Sequence, residues 1–259
     1  MQRIAVIGAG AWGTALATVA RQAGRDVALW AREPEVVAAI RGKGENTTFL
    51  PGVELPWDLG VSHDLAAVVQ DAEAVLLAVP AQHLEAMAER VAPALGAQVP
   101  VVLCAKGIQT RTGRLRTEVL DASLPGQPQA VLSGPTFAGD VARGLPAAVT
   151  LAAWDAELAQ RLTDALGSRT FRPYAGTDPI GAQIGGAVKN VVAIACGIMA
   201  GRGLGENARA AVITRALAEI SRLGVARGAQ AATFSGLSGL GDLTLTCTST
   251  TSRNYSLGM

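Results

Sequence analysis

The 259-residue chain contains few cysteines and histidines. Its three cysteines, Cys104, Cys196 and Cys247, are far apart and odd in number, and its first residues lack the apolar run of a signal peptide. Both observations predict reduced thiols and a cytoplasmic location. The two histidines, His63 and His83, show no metal-ligand spacing with each other or with cysteine. We therefore expect no metal site.

The chain also has no excess of positively or negatively charged residues. The 22 lysines and arginines balance 21 aspartates and glutamates, which leaves a net charge of +1. A nucleic-acid-binding protein would show a basic excess, so no nucleic-acid partner is expected. Charged residues make up 17% of the chain and hydrophobic residues 49%, which excludes general disorder. The mean hydropathy is +0.30, but the most apolar stretch, 190–201, is shorter than the roughly 20 residues of a membrane span.

Short β-branched apolar runs alternate with helical stretches through about residue 174. Continuous apolar strands separated by helices predict an α/β fold of the Rossmann type, a mostly parallel sheet with helices on both faces. After residue 178 the pattern predicts only helices. We therefore expect a dinucleotide-binding domain over 1–176 and an all-α substrate domain over 177–259. The predicted strands are 3–8, 26–30, a short one near 61, 74–79, 99–104, 130–133, 147–153 and 170–174; the predicted helices are 12–23, 33–41, 81–95, 155–166, 180–200, 207–226 and 229–233.

The first chemical motif is the segment Gly-Ala-Gly-Ala-Trp-Gly at 8–13, between the first strand and the first helix. Gly8 permits a tight turn, Gly10 lets the backbone approach a pyrophosphate, and Gly13 lets helix and strand pack closely. The helix N-terminus then presents free N–H groups to the anion. A plain glycine-rich turn is the alternative, but the strand–turn–helix context favours dinucleotide binding.

The end of the second strand should carry the residue that binds the adenosine ribose. The acid expected there is absent, because Ala31 is followed by Arg32 and Glu33. Arg32 could pair with a 2′-phosphate, which favours NADP(H) over NAD(H). In the alternative, Arg32 is an exposed loop residue and Glu33 binds the ribose hydroxyl.

Ligands of parallel sheets bind at the carboxyl ends of strands, where two further segments lie. Lys106 follows one strand and could hold a phosphate or the nicotinamide side of the site. Gly134 and Thr136 follow another, and Thr136 resembles a helix N-cap. An ordinary turn and cap is the alternative for this second segment.

Lys189 lies inside a predicted helix that is otherwise apolar. Such a helix is buried, and desolvation lowers the pKa of a lysine into the range suited to proton transfer. The alternative is a lysine that extends to the surface. Asp242, between a glycine and a leucine, needs a cationic partner, and Arg253 between Ser252 and Asn254 is suited to phosphate binding. These last segments could equally be solvated turns.

Together the motifs resemble the bacterial type of NAD(P)-dependent sn-glycerol-3-phosphate dehydrogenase. The matching segments include Gly-Ala-Gly-Ala-Trp-Gly at 8–13, Gly-Pro-Thr-Phe-Ala at 134–138, Gly-Gly-Ala-Val-Lys-Asn at 185–190, Asn-Ala-Arg at 207–209, Ile-Thr-Arg at 213–215, Gly-Leu-Gly-Asp-Leu at 239–243 and Thr-Ser-Arg-Asn at 251–254. The resemblance implies reversible reduction of dihydroxyacetone phosphate to sn-glycerol 3-phosphate, a precursor of phospholipids.

The resemblance also implies a set of site residues. Lys189 is the proton acceptor. Asp242, the second candidate catalytic residue, could orient Lys189 or bind a substrate hydroxyl, and the sequence does not decide between these roles. The cofactor would be bound by Gly8, Gly10, Ala11, Trp12, Gly13, Arg32, Lys106, Ala138 and Arg253. The phosphorylated substrate would be bound by Lys106, Gly134, Thr136, Lys189, Asp242, Ser252, Arg253 and Asn254.

The chain departs from the family pattern at three places. Ala105 stands where the family usually has threonine, and Tyr255 and Ser256 stand where a basic residue often follows. Family members also continue well past Met259, so the helical domain is expected to be incomplete. Two other functions stay open at this point, a related dehydrogenase of hydroxy acids and a non-catalytic NAD(P) sensor. The apolar helical segment suggests a homodimer.

Overall fold

A single eight-stranded sheet forms the centre of the protein in a computed structural model that describes residues 1–259. Its strands are β1 (Arg3–Ile7), β2 (Asp26–Trp30), β3 (Gly60–Ser62), β4 (Ala74–Leu77), β5 (Val101–Leu103), β6 (Gln129–Ser133), β7 (Ala147–Ala153) and β8 (Phe171–Gly176). The strand order is β3-β2-β1-β4-β5-β6-β7-β8. All neighbours are parallel except β6 and β7, which confirms the expected mostly parallel sheet.

Eleven α-helices accompany the sheet. They are α1 (Ala11–Gln22), α2 (Pro34–Lys43), α3 (Leu65–Val69), α4 (Leu84–Val91), α5 (Arg116–Ser123), α6 (Ala138–Ala142), α7 (Ala156–Leu166), α8 (Pro179–Gly201), α9 (Gly205–Ala226), α10 (Asp242–Thr248) and α11 (Arg253–Gly258). The sequence did not predict α3, α5, α10 and α11, all of which are short. Helices α8 to α11 confirm the helical second part.

Alternating side chains of β1 explain why the sheet is covered on both faces. Ile4 and Val6 belong to the core under one face, and Ala5 and Ile7 to the core under the other. All four are buried, as expected for a central strand between helical layers. Since β1, β4 and β5 run in parallel, their carboxyl ends meet at one edge of the sheet, where the glycine loop begins.

Helix α8 is fixed at its N-terminus by a buried acid. The Asp178 carboxylate accepts hydrogen bonds from the N–H of Gly181 (2.8 Å), the N–H of Gln230 (2.9 Å) and the hydroxyl of Thr233 (2.6 Å). It therefore caps the helix and ties it to the 3₁₀ turn at Ala231–Ser235. The sheet ends at Gly176 and α8 begins at Pro179, but the division into two domains stays a prediction.

Helix α8 is also long and apolar enough to cross a membrane, by length and composition alone. The apolar stretch 190–201 that the sequence shows is only the second half of this helix. Buried core helices satisfy the same test, and α8 packs against α9, α10 and α11. It also carries Gln183, which is fully buried and hydrogen-bonded to Thr117.

Candidate active site

The loop between β1 and α1 has the geometry that the glycine motif predicts. Gly8 has a φ of +111°, a left-handed conformation that favours glycine. A Cβ at Gly13 would lie 1.8 Å from the Gly8 carbonyl oxygen, so only glycine lets α1 start this close to the strand. The N–H groups of Gly10, Ala11 and Trp12 have no backbone acceptor. The loop therefore presents free donors at the positive end of a helix, where an anion would bind.

Arg32 and Glu33, the two residues predicted to bind at the adenosine ribose, contact each other after the end of β2. The Arg32 guanidinium donates to Glu33 Oε1 from Nε at 2.8 Å and from Nη2 at 2.5 Å. The Arg32 side chain is 75% exposed, so it is free to move towards a ligand. Ala31 is buried and offers no polar group. On the other side of the loop, the Trp12 indole donates to the Cys104 carbonyl oxygen at 3.2 Å, which fixes Trp12 above β5.

Two lysines share one carboxylate at the carboxyl edge of the sheet. Lys106, after β5, donates to Asp242 Oδ2 at 2.7 Å and to the Gly134 carbonyl oxygen at 2.9 Å. Lys189 of α8 donates to Asp242 Oδ1 and, at 2.7 Å, to Thr246 Oγ1. We call Lys106, Lys189, Asp242 and Thr246 the lysine–aspartate cluster. Asp242 thus orients both amines.

Burial sets the protonation chemistry of this cluster. The Asp242 side chain is fully buried, and those of Lys189 and Lys106 are 7% and 19% exposed. Desolvation lowers the pKa of Lys189 to about 8, and the nearby charge of Lys106 acts in the same direction against the opposing effect of Asp242. The alternative of a lysine that extends to the surface is wrong, since the amine is held inside. An amine that titrates near 8 can donate or accept a proton near neutral pH.

The chain reaches this arrangement through a close contact between α8 and the turn before α10. A Cβ at Gly185 would lie 2.2 Å from the Ser238 carbonyl oxygen, so glycine lets the π-helical turn Leu237–Gly241 approach α8. Thr246 lies one helical turn after Asp242, on the same face, and its hydroxyl donates to the Asp242 carbonyl oxygen at 2.7 Å. The sequence motifs do not indicate Thr246, because its spacing of four from Asp242 has meaning only on a helix and α10 is not predicted.

The segment after β6 corrects one prediction. Helix α6 begins at Ala138 with Phe137 as its N-cap residue, and no side chain caps it. Thr136 is therefore not the N-cap; its hydroxyl donates to the Gly134 carbonyl oxygen at 3.4 Å. The helix begins one residue later than expected because Phe137 is still extended. Ala138 itself packs against the core that contains α1, beside the glycine loop.

Ser252, Arg253 and Asn254 lie at the start of α11, outside the hydrogen-bonded cluster. Ser252 is buried and caps α11, because its Oγ accepts the Tyr255 N–H at 3.3 Å. Arg253 is exposed and makes no ion pair, so its guanidinium is free for a ligand. Helix α11 packs on α8 where Tyr255 meets Gly197, two turns past Lys189.

Two models of one family match almost the whole chain. Residues 3–159 match the NAD-dependent glycerol-3-phosphate dehydrogenase N-terminus, and residues 178–259 match the C-terminus of the same family. The chain belongs to the NAD-dependent glycerol-3-phosphate dehydrogenase family. The resemblance drawn from the sequence motifs is confirmed.

Similar proteins carry the name of this family. A glycerol-3-phosphate dehydrogenase [NAD(P)+] of Rhodospirillum rubrum is 59% identical over 258 residues, covering 100% of this chain and 74% of that protein. One of Paramagnetospirillum magneticum is 59% identical and covers 99% and 93%. The crystal structure of glycerol-3-phosphate dehydrogenase from Coxiella burnetii has a TM-score of 0.94 at 40% identity, covering 99% of this chain and 79% of that one. These matches favour the glycerol-3-phosphate dehydrogenase family over both alternatives, the hydroxy-acid dehydrogenase and the sensor.

Proposed function

We propose that the chain interconverts dihydroxyacetone phosphate and sn-glycerol 3-phosphate with NAD(P)H, supplying glycerol phosphate for phospholipid synthesis. The observation that carries this proposal is a buried lysine of lowered pKa at the carboxyl edge of a sheet whose first loop offers free N–H donors. Carbonyl reduction needs a hydride donor, a proton donor and a means of holding the remote phosphate. Separate groups of this chain suit each requirement.

The dinucleotide would lie along the glycine loop. The unpaired N–H groups at the start of α1 fit a pyrophosphate, and a Cβ at Gly10 would point into open space. Bound there, the cofactor supplies the hydride. The residues proposed to hold it are Gly8, Gly10, Ala11, Trp12, Gly13, Arg32, Lys106, Ala138 and Arg253.

Lys189 is the proposed proton donor in reduction and the acceptor in oxidation. Its Nζ is fixed by Asp242 and Thr246, so the amine has one direction left for a substrate oxygen. Lys106 donates to the same carboxylate and to the Gly134 carbonyl oxygen, and we assign it to both the cofactor and the substrate. Both lysines would therefore contact the reacting carbonyl region, while Asp242 keeps them in place.

The phosphate of the substrate needs a cation that no carboxylate neutralises. Arg253 has no ion-pair partner within the chain, and it lies between the hydroxyl of Ser252 and the amide of Asn254. We assign the phosphate to these three residues, with Gly134 and Thr136 completing the substrate site. The cytoplasm, where the free thiols would stay reduced, and a homodimer are part of the proposal.

The direct test is turnover of dihydroxyacetone phosphate, followed by oxidation of NADPH and of NADH in parallel. We expect activity with the phosphorylated ketone and little with 2-keto or 3-keto acids, which lack the phosphate. Turnover of a keto acid alone would support a hydroxy-acid dehydrogenase. Cofactor binding without any turnover would support a sensor.

The cofactor preference depends on Arg32. We expect kcat/KM to be higher with NADPH than with NADH, because a 2′-phosphate replaces Glu33 as the partner of the guanidinium. Arg32→Ala should remove most of this preference and leave NADH almost unaffected. Steady-state kinetics with both cofactors measure it. Equal use by the unmodified chain, or a preference for NADH that survives Arg32→Ala, would contradict the assignment.

The contribution of Arg253 can be separated from that of the fold. Arg253→Gln loses a charge-assisted hydrogen bond worth roughly 1.5–3 kcal/mol, so kcat/KM for dihydroxyacetone phosphate should fall about tenfold to somewhat over a hundredfold. Dihydroxyacetone without its phosphate offers Arg253 no anion, and its poor turnover should hardly change. An equal loss on both substrates would place Arg253 at the cofactor or in the fold, and NADPH affinity of the variant distinguishes these two.

A further inference from the structure

A buried asparagine outside all the motifs described above lies directly behind the glycine loop. Asn46 follows α2, and its side chain is fully buried. Its Nδ2 donates to the Ala9 carbonyl oxygen and to Thr14 Oγ1, both at 2.8 Å, and its Oδ1 accepts the Phe49 N–H at 3.1 Å. Both donor hydrogens and the amide oxygen are therefore used inside the protein.

The bond from Asn46 sets the direction of one peptide group. The Ala9 carbonyl belongs to the peptide that joins Ala9 to Gly10, and no peptide of the chain is cis. In a trans peptide the C=O and the N–H point in opposite directions, so the Gly10 N–H points away from Asn46. That N–H has no acceptor in the chain, and the space beside Gly10 is open.

Thr14 reinforces the same arrangement from the first helix. Its hydroxyl lies 3.3 Å from the Ala9 carbonyl oxygen, and its N–H donates to the Gly10 carbonyl oxygen at 2.9 Å. Asn46 and Thr14 thus hold the carbonyls of two consecutive loop peptides. A glycine loop without these bonds could rotate the peptide between Ala9 and Gly10, which would turn a carbonyl oxygen towards a bound anion.

We propose that Asn46 is a positioning residue for the cofactor: it fixes the peptide between Ala9 and Gly10 so that the Gly10 N–H points at the pyrophosphate of the dinucleotide. Asn46 itself contacts neither cofactor nor substrate. The proposal rests on the proposed function only in requiring that the chain binds NAD(P)H.

The test compares ligands with and without a pyrophosphate in the variant Asn46→Ala. The dissociation constant for NADH, followed by its fluorescence, should rise on the order of tenfold, as for the loss of one well-placed hydrogen bond. Adenosine, which has no phosphate, should bind almost as before. At saturating NADH, kcat and the KM for dihydroxyacetone phosphate should stay within about twofold. An unchanged NADH dissociation constant, or an equal loss for adenosine, would overturn the proposal.

Gln127 provides a matched control. Its Nε2 donates to the carbonyl oxygens of Gly96 (2.9 Å) and Val99 (2.5 Å), the same kind of amide bridge at the opposite edge of the sheet. Gln127→Ala should lower the melting temperature, by less than Asn46→Ala because Gln127 is only half-buried, and leave the NADH dissociation constant unchanged. A similar rise of that constant in the control would mean that general loosening explains the effect, and would overturn the proposal.

Thr14→Val is the second variant. It tests the same positioning of the peptide between Ala9 and Gly10 if Asn46→Ala fails to fold. It should weaken NADH binding by about two- to fivefold, and less than additively when combined with Asn46→Ala, because both residues act on one peptide. No effect on NADH binding would count against the proposal. A chain that binds NADH but does not reduce dihydroxyacetone phosphate would refute the proposed reaction and leave this test intact.

Discussion

Replacing Lys189 by methionine is expected to lower kcat by a factor on the order of 10²–10⁴ while leaving the fold and NADPH binding intact. Methionine has a similar length and cannot transfer a proton. Its neutral side chain also suits the buried surroundings of Lys189, so unfolding and cofactor titrations should change little. Lys43→Met, the same change at an exposed position in the last turn of α2, is the control and should keep full activity. Near-normal turnover of Lys189→Met would contradict the assignment of Lys189 as the proton donor and acceptor.

The pH profile gives a second signature of the same residue. Reduction needs the protonated amine, so its kcat/KM should fall as the pH rises through about 8, the pKa of Lys189. Oxidation needs the neutral amine and should rise over the same interval. Both inflections should disappear in Lys189→Met. If the pH profile of Lys189→Met keeps the inflection near pH 8, the inflection belongs to another group.

Asp242→Asn is expected to have the second large effect, on stability as well as on catalysis. The change leaves two buried or half-buried ammonium groups without a counter-charge, and breaking such a pair costs about 3–5 kcal/mol. It also removes the main influence that raises the pKa of Lys189, so the descending limb of the reduction profile should move to lower pH. Urea unfolding and the pH profile measure the two effects.

A double variant tests whether repulsion between Lys106 and Lys189 causes the loss of stability in Asp242→Asn. Lys106→Met combined with Asp242→Asn removes one of the two positive charges, so part of the stability lost in Asp242→Asn should return. If Asp242→Asn alone lowers the unfolding free energy by less than about 1 kcal/mol, the carboxylate does not balance the lysines.

Local patterns of the sequence were sufficient for the sheet and for the candidate residues of the glycine loop. The turn at Gly8, the close packing at Gly13 and the isolated lysine at 189 are all encoded within a few neighbouring residues. The shared carboxylate is different, because Lys106 and Asp242 are separated by 136 positions. Sequence periodicity describes only neighbouring residues, so it cannot predict a contact between residues this far apart. The two lysines were recognised separately, but not as partners.

Thr246 and Asn46 are not indicated by the sequence, for two different physical reasons. Thr246 lies on a seven-residue helix rich in threonine, whose composition is typical of a turn. Asn46 belongs to no motif, and its importance comes only from the loop that packs on it. The roles of all these side chains in binding and catalysis remain predictions.

The reversed direction of β7 has a consequence for how the site is assembled. Two parallel strands need a crossover that carries the chain back along the sheet, whereas an antiparallel neighbour can be entered directly from the end of the preceding strand. Residues 134–146 therefore never leave the carboxyl edge, and they keep Gly134, Thr136 and Ala138 beside the glycine loop and Lys106. One local return connection thus borders both the glycine loop and the lysine–aspartate cluster, and a change in its length would alter both at once.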